Sequence, residues 1–332
     1  MSFYEINKPF DVEEIFNIHS SLDFNAKVLQ IFHFQYKNNE LYKKYVDLLK
    51  IDITTISQLE QIPFLPVSFF KTHKVLCGTY YEEVFSSSAT SQTGQSMHYV
   101  SYLPLYEKSF TRCFNRVYGD FSEYAWLALL PGYMERKGSS LIYMVNYFIK
   151  HSKYKESGFY LHDYDKLKEN LLKLKAQKIP VILLGVSFAL LDFAEKYTLD
   201  LSHVIIMETG GMKGRREEIT REELHKILCE NFQVRSIHSE YGMTELLSQF
   251  YSKGQGIFTQ QAFQKILIRD ISDPFNYLPY KKRGAINIID LTNVYSCSFI
   301  ATDDMGLLHN DSDFEVLGRK DNSELRGCNL LI

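Results

Sequence analysis

Five short stretches gather the residues able to do chemistry. The run Ser86-Ser87-Ser88-Ala89-Thr90-Ser91-Gln92-Thr93-Gly94-Gln95-Ser96 is dominated by hydroxyl side chains and lies between two apolar segments. Hydroxyls and backbone N–H groups in such a loop can wrap phosphate oxygens. No Gly-Lys-Ser/Thr follows, so this is not a Walker-type loop; the structural alternative is a plain surface loop. Tyr241-Gly242-Met243-Thr244-Glu245 offers an aromatic to stack on a purine, a glycine that lets backbone approach, a threonine for phosphate and a glutamate for Mg²⁺. Its alternative is a helix start capped by Thr244. Thr302-Asp303-Asp304-Met305-Gly306 reads as an acidic turn after a strand, where a carboxylate could accept bonds from both hydroxyls of a ribose. Gly318-Arg319-Lys320-Asp321 reads as a charged surface hinge rather than a strand. Beyond it, Cys328 follows Arg326-Gly327 close to the end of the chain. Cations nearby favour the thiolate, which makes Cys328 a candidate nucleophile.

The elements needed to position these stretches follow from apolar periodicity. Ile15, Ile18 and Leu22, then Val28, Ile31 and Phe32, then Leu41, Tyr45, Leu48 and Leu49 recur at helical spacing, so the chain opens with helices. Ile62–Val67 is held extended by its prolines. Strand-like runs at Ala125–Leu130, Pro180–Gly185, His203–Met207 and Val234–His238 then alternate with helical runs at Leu141–Ile149, Tyr164–Ala176, Phe188–Tyr197 and Arg216–Asn231. This alternation predicts an α/β fold with a largely parallel sheet. Past about residue 255, the runs Phe258–Phe263, Lys265–Ile271, Ala285–Leu291 and Ser296–Ala301 have no helices between them and predict a β-rich lobe.

Composition narrows the function classes. A chain of 332 residues exceeds the usual single core, so one large domain or two coupled lobes is expected. A net charge of −3 gives no electrostatic reason to expect nucleic acid or an anionic membrane as partner. Aromatics make up 14% of the chain, nearly all Phe and Tyr, enough to line a sizeable apolar pocket. The five cysteines, Cys77, Cys113, Cys229, Cys297 and Cys328, show no metal-ligand spacing, which fits free thiols in a reducing compartment. All but Cys328 sit in apolar or helical settings and read as packing thiols. The N-terminus has no signal-peptide pattern, and the longest apolar run, Val181–Leu191, is too short to span a bilayer. A soluble cytoplasmic protein is expected. His238 reads as a structural histidine before Tyr241, and neither Lys213 nor Arg215 is assigned a role.

Taken in order, residues 86–94, 241–245, 302–304 and 318–321 resemble the phosphate loop, Tyr-Gly-x-Thr-Glu, Thr-Gly-Asp and Gly-Arg-x-Asp motifs of the acyl-adenylate-forming superfamily. A closer similarity is to the LuxE-type acyl-protein synthetases of bacterial luminescence. It is carried by Ile62–Lys71, the hydroxyl loop, Leu130–Tyr133 with Gly138–Leu141, Glu208–Arg215 and Arg326–Cys328, and covers about residues 55–332. Two positions depart from the superfamily: the loop has Ala89-Thr90-Ser91-Gln92 in place of glycine, and Asp303 stands where Thr-Gly-Asp has glycine.

The resemblance implies the large N-terminal-type domain of an acyl-adenylate-forming enzyme, without the mobile C-terminal domain. The expected layout is a helical extension over 1–54, a core over 55–315 and a hinge-like tail over 316–332 carrying Cys328. It implies ATP and Mg²⁺ as cofactors. Ser87, Ser88, Thr90, Thr93, Gly94 and Thr244 would hold phosphates, and Glu245 would hold Mg²⁺. Gly210, Gly211, Tyr241 and Gly242 would lie at the adenine, with Asp304 and Arg319 at the ribose. A carboxylic acid, expected to be a long-chain fatty acid, would be activated, moved to Cys328 and passed to a reductase or carrier protein. Two other functions fit the same residues: acyl transfer to coenzyme A or a carrier with Cys328 incidental, and a non-catalytic nucleotide- or acyl-binding subunit.

Overall fold

The computed structural model describes residues 11–87, 94–132, 135–210 and 219–319. The chain forms two compact units. One comprises residues 1–106, 245–247 and 259–332; the other comprises 107–244 and 248–258.

The first unit opens with α1 (Ser21–Asn38) and α2 (Glu40–Leu48), separated by Asn39, whose side chain accepts the Tyr42 N–H and so caps α2. Val28, Ile31 and Phe32 are buried as their spacing predicts, whereas on α2 the buried residues are Tyr42 and Val46 rather than Leu41, Tyr45, Leu48 and Leu49. Leu22 and Leu48 lie instead at helix ends and are 78% and 81% exposed. Gln35 is buried on α1 and donates to the carbonyls of Asn293 and Val294 at 3.1 and 2.9 Å. There follow β1 (Leu65–Pro66), α3 (Phe69–Thr72) and the hairpin β2 (Glu83–Ser86) and β3 (Met97–Val100), with Ser86 opposite Met97.

The second unit holds α4 (Leu103–Tyr118) from Glu107 onward, then β4 (Ala125–Leu129), α5 (Ser140–His151), β5 (Gly158–Phe159), α6 (Tyr164–Ala176), β6 (Val181–Val186), α7 (Ser187–Lys196), β7 (Val204–Thr209), α8 (Arg221–Phe232), β8 (His238–Tyr241) and β9 (Phe250–Ser252). Strands β5, β4, β6, β7 and β8 lie side by side in parallel, and β9 runs antiparallel to β8. Every residue of β4 and β6 is buried, as a strand covered on both faces requires. The Trp126 ring stacks on Phe148 of α5 at 4.5 Å. Two boundaries differ from the sequence expectation. Helix α8 starts at Arg221 rather than Arg216, because Thr220 caps it by accepting the Glu223 N–H. Strand β8 lies later than Val234–His238, so Tyr241 ends the strand rather than following it.

After the short β10 (Ile257–Thr259), the chain builds the β-rich part of the first unit from β11 (Gln264–Arg269), β12 (Gly284–Asp290), β13 (Phe299–Leu308) and β14 (Asp313–Arg319). These four form an antiparallel meander, with β1 parallel to β13. Phe299, Phe64, Phe32 and Tyr42 pack there, and the Tyr42 hydroxyl donates to the Pro63 carbonyl at 2.6 Å. Residues 302–306, expected as a turn, lie inside β13, while Gly318 and Arg319, expected in a hinge, end β14. Lys320 and Asp321 lie outside the described residues.

Candidate functional site

In the first unit four of the sequence stretches converge. Below the β2–β3 hairpin, the Ser87 N–H donates to the Ser96 carbonyl at 3.1 Å and the Ser96 N–H donates to Ser87 Oγ at 3.0 Å. These bonds fasten both ends of the hydroxyl loop. Gly94 has φ +88°; Ser88, Thr90 and Thr93 lie outside the described residues. The buried Ser96 hydroxyl donates to the Glu245 carboxylate. Glu245 is itself fixed from its main chain: Asn293 Nδ2 donates to its carbonyl at 2.7 Å, and the Leu247 N–H donates to Asp290 Oδ2 at 3.0 Å. Burial pushes the Glu245 carboxyl pKa up; the Ser96 bond and the Arg319 charge oppose this, and the Asp304 charge adds to it.

Asp304 and Arg319 stand opposite each other on β13 and β14, with Arg319 Nε 3.6 Å from Asp304 Oδ1. The two side chains are 10% and 78% exposed, so a buried carboxylate meets a cation that reaches into solvent. An ion pair this open is worth under about 1 kcal/mol of stability. Its geometry comes from two irregularities. Between the pairs Ala285↔Met305 and Asn287↔Ala301, Ile286 alone faces Thr302, Asp303 and Asp304. Between Met305↔Gly318 and Gly306↔Val316, β14 carries Leu317 as an extra residue. Gly306 is needed here, because a Cβ on it would lie 2.4 Å from the Glu315 carbonyl. The departure at Asp303 falls on the exposed face of β13, whereas Thr302 and Asp304 are buried.

The second unit carries a different cluster at the carboxyl ends of β7 and β8, the edge at which open α/β sheets bind ligands. Thr209 pairs with Glu240 across these strands, and its hydroxyl donates to Glu240 Oε2 at 2.6 Å. Glu240 is 7% exposed, and burial raises its pKa to about 7 against the opposing Thr209 bond, with the Glu208 charge adding to the rise. A Cβ on Gly242 would stand 2.7 Å from Glu240 Oε1, so a larger residue there would displace the carboxylate. The Tyr241 ring packs near Phe250 and Phe258, at 5.9 and 5.8 Å. Gly210 closes β7, and its carbonyl accepts the Ser187 hydroxyl at 2.5 Å. Arg221 Nε and His225 Nε2 each lie 3.6 Å from Glu208 Oε1. Thr244 lies in a turn rather than at a helix start, and is half-buried. The chain passes from this unit into the other between Thr244 and Glu245.

His238 makes a 3.0 Å hydrogen bond through Nδ1 with the Tyr118 hydroxyl. Burial, helped by the Lys253 and His225 charges, lowers its pKa to about 4. Cys77, Cys113 and Cys297 are buried, and burial raises the thiol pKa of Cys77, Cys229 and Cys297. Gly211, Lys213, Arg215, Arg326 and Cys328 lie outside the described residues.

The donor set suits Mg²⁺ only in company with a nucleotide. Among the described residues no group of three or more His, Cys, Asp or Glu side chains is arranged to hold a metal. Glu245 and Asp304 are the carboxylates present, and Mg²⁺ commonly takes one or two carboxylates plus phosphate oxygens. Sequence reasoning missed Ser96, Thr209 and Glu240 as parts of these clusters. Ser96 had a signal, being the last hydroxyl of the loop. Glu240 directly precedes the Tyr241 motif, but nothing in the sequence pairs it with Thr209.

The profile of the family described as "Acyl-protein synthetase, LuxE" matches residues 7–115 and 134–332. No curated protein sequence matches. Among solved structures, a 2-hydroxyisobutyryl-CoA ligase in complex with 2-HIB-AMP and CoA superposes with a TM-score of 0.66 at 11% identity, covering 96% of this chain and 75% of that one. An open conformation of such a ligase gives 0.64 at 11% identity, covering 91% and 70%. ATP-bound MatB from Rhodopseudomonas palustris gives 0.54 at 14% identity over 74% of this chain and 48% of that one, about half its length. The shared feature at these identities is the fold, a mixed α/β arrangement like the N-terminal domain of adenylate-forming enzymes. No helix among the described residues is long and apolar enough to cross a membrane.

Proposed function

We propose, from the premise that the chain belongs to the LuxE family of acyl-protein synthetases, that it activates a long-chain fatty acid with ATP, carries the acyl group on Cys328 and passes it to a reductase or carrier protein. The observation that supports this reading best is the cluster in the first unit, where Ser96 of the hydroxyl loop, Glu245, Asp304 and Arg319 act on one another.

In the first step the carboxylate oxygen attacks the α-phosphorus of ATP; a C–O–P anhydride forms and pyrophosphate leaves. The transition state is rich in negative charge, so fixed donors supply most of the catalysis. Ser87, Ser88, Thr90, Thr93, Gly94 and Thr244 would orient the phosphates. Asp304 would accept the ribose hydroxyls, with Arg319 beside it, and Tyr241, Gly242, Gly210 and Gly211 would border the adenine. Glu245 would hold Mg²⁺, which when bound draws charge from the phosphate oxygens. In the second step the Cys328 thiolate attacks the carbonyl carbon; a C–S bond forms and AMP leaves with the bonding pair. Arg319 and Arg326 would favour the thiolate.

Intact-protein and peptide mass spectrometry after incubation with ATP, Mg²⁺ and a long-chain fatty acid tests this. An acyl thioester on Cys328, absent without ATP and absent in Cys328→Ser, is the expected result. An unmodified Cys328 in a chain that makes acyl-AMP would move the acceptor to coenzyme A or a carrier protein. A chain that binds ATP but makes no acyl-AMP would leave a binding subunit.

A further inference from the structure

Arg269 ends β11, yet its side chain reaches across β12 to β13. Nη1 donates to the Ile286 carbonyl at 2.7 Å and to Asn287 Oδ1 at 2.5 Å, and Nη2 donates to the Thr302 carbonyl at 2.6 Å. Ile286 is the single residue facing the Thr302–Asp304 excursion, so the guanidinium sits where the β12–β13 ladder is interrupted. A bulge leaves carbonyls without ladder partners, and a planar fork of donors can bridge two of them where a lysine cannot. The same carbonyl of Ile286 accepts the Thr302 hydroxyl at 2.8 Å, and the Asp304 N–H in turn donates to Thr302 Oγ1 at 3.1 Å. A continuous chain of bonds thus runs from Arg269 through Ile286 and Thr302 to the main chain of Asp304. Asn287, which also receives the guanidinium, is 1% exposed. Burial lowers the Arg269 pKa, while the Asp303 charge raises it.

We propose that Arg269 is a positioning residue: it braces the interrupted β12–β13 ladder so that the Asp304 carboxylate is presented at a fixed angle to the ribose hydroxyls of the nucleotide. The proposal rests on the adenylate-forming reading and adds to it the source of ribose recognition. Asp303, on the outward face of the bulge, replaces the small residue of the superfamily motif without entering that chain of bonds.

The test measures acid-dependent ATP–pyrophosphate exchange with ATP and with 2′-deoxy-ATP for wild type, Arg269→Gln, Arg269→Lys, Asp304→Ala and Arg269→Gln/Asp304→Ala. If Arg269 acts through Asp304, Arg269→Gln raises the KM for ATP by about tenfold or more with a smaller change in kcat, and erodes the preference for ATP over 2′-deoxy-ATP. On the Asp304→Ala background the same change adds less than about twofold. Arg269→Lys, which keeps the charge but replaces the two-nitrogen fork with a single ammonium, gives an intermediate preference even if the glutamine variant fails to fold. Equal losses on both nucleotides in Arg269→Lys, or an undiminished effect on the Asp304→Ala background, would overturn the proposal and leave the adenylate-forming reading standing. A wild-type chain with no acid-dependent exchange overturns both.

Discussion

The two clusters place their acidic side chains by opposite devices. In the first unit, Asp304 is thrown out of an antiparallel ladder by an excursion of three residues against one and meets an exposed arginine. In the second, Glu240 stands in regular register at the end of a parallel strand and meets a threonine hydroxyl. The first arrangement keeps a charged carboxylate beside a cation. Among the described residues, the second buries a carboxyl group with only a neutral donor, and burial disfavours its charged form. Charge is presented where the ladder is irregular, and a neutral hydrogen bond is used where the strand end is regular.

The largest effect expected from breaking this comparison is on the first side. Asp304→Ala should lower acid-dependent exchange by about a hundredfold or more, since a charged acceptor lost from two hydroxyls costs roughly 1.5–3 kcal/mol each. Its melting temperature should change little, because the partner Arg319 is exposed. Steady-state kinetics beside thermal denaturation measures both.

On the second side the main effect is on stability and on pH. Glu240 has a folded-state pKa of about 7 against an ordinary value of 4.5. The unfolded state therefore binds fewer protons than the folded state between these values. Stability from this group is present below pH 4.5, falls as pH rises through about 7, and is flat above. The penalty above that range is roughly 3 kcal/mol. Glu240→Gln should remove this slope, gaining on wild type between pH 5 and about 8 in urea denaturation. A slope unchanged by the substitution would contradict the assignment.

Gly242→Ala should cost about 1–3 kcal/mol, because the new Cβ would stand 2.7 Å from Glu240 Oε1. Pairing it with Glu240→Ala should restore much of that loss, as read by chemical denaturation. Ser96→Ala gives the smallest effect, about 1 kcal/mol for a hydrogen bond to a buried carboxyl group. It should also push the Glu245 pKa further up, because the Ser96 bond is the largest of the effects that oppose burial there. The alkaline shift is measurable in the pH dependence of exchange.

Much of this was legible in the sequence because the informative signals are local. Apolar runs gave β4, β6 and β7 and the helices between them within a few residues. The errors have a common cause. Thr302–Asp304 reads as a turn because three polar residues follow an apolar run, but whether they leave a strand or bulge within it is decided by β12 and β14. Gly318 and Arg319 are polar and exposed, yet pairing with β13 makes them strand. Arg269 lies 33 residues from the carbonyl it holds at Thr302, and no spacing rule links the two. Thr209 and Glu240, 31 apart, meet only through parallel register.

The central claim is that this chain makes an acyl-adenylate, and acid-dependent ATP–pyrophosphate exchange across a panel of carboxylic acids tests it most directly. The account predicts exchange that requires an added acid, favours long-chain fatty acids and falls by about a hundredfold or more in Asp304→Ala. Exchange absent with every acid, or undiminished in Asp304→Ala, would contradict it.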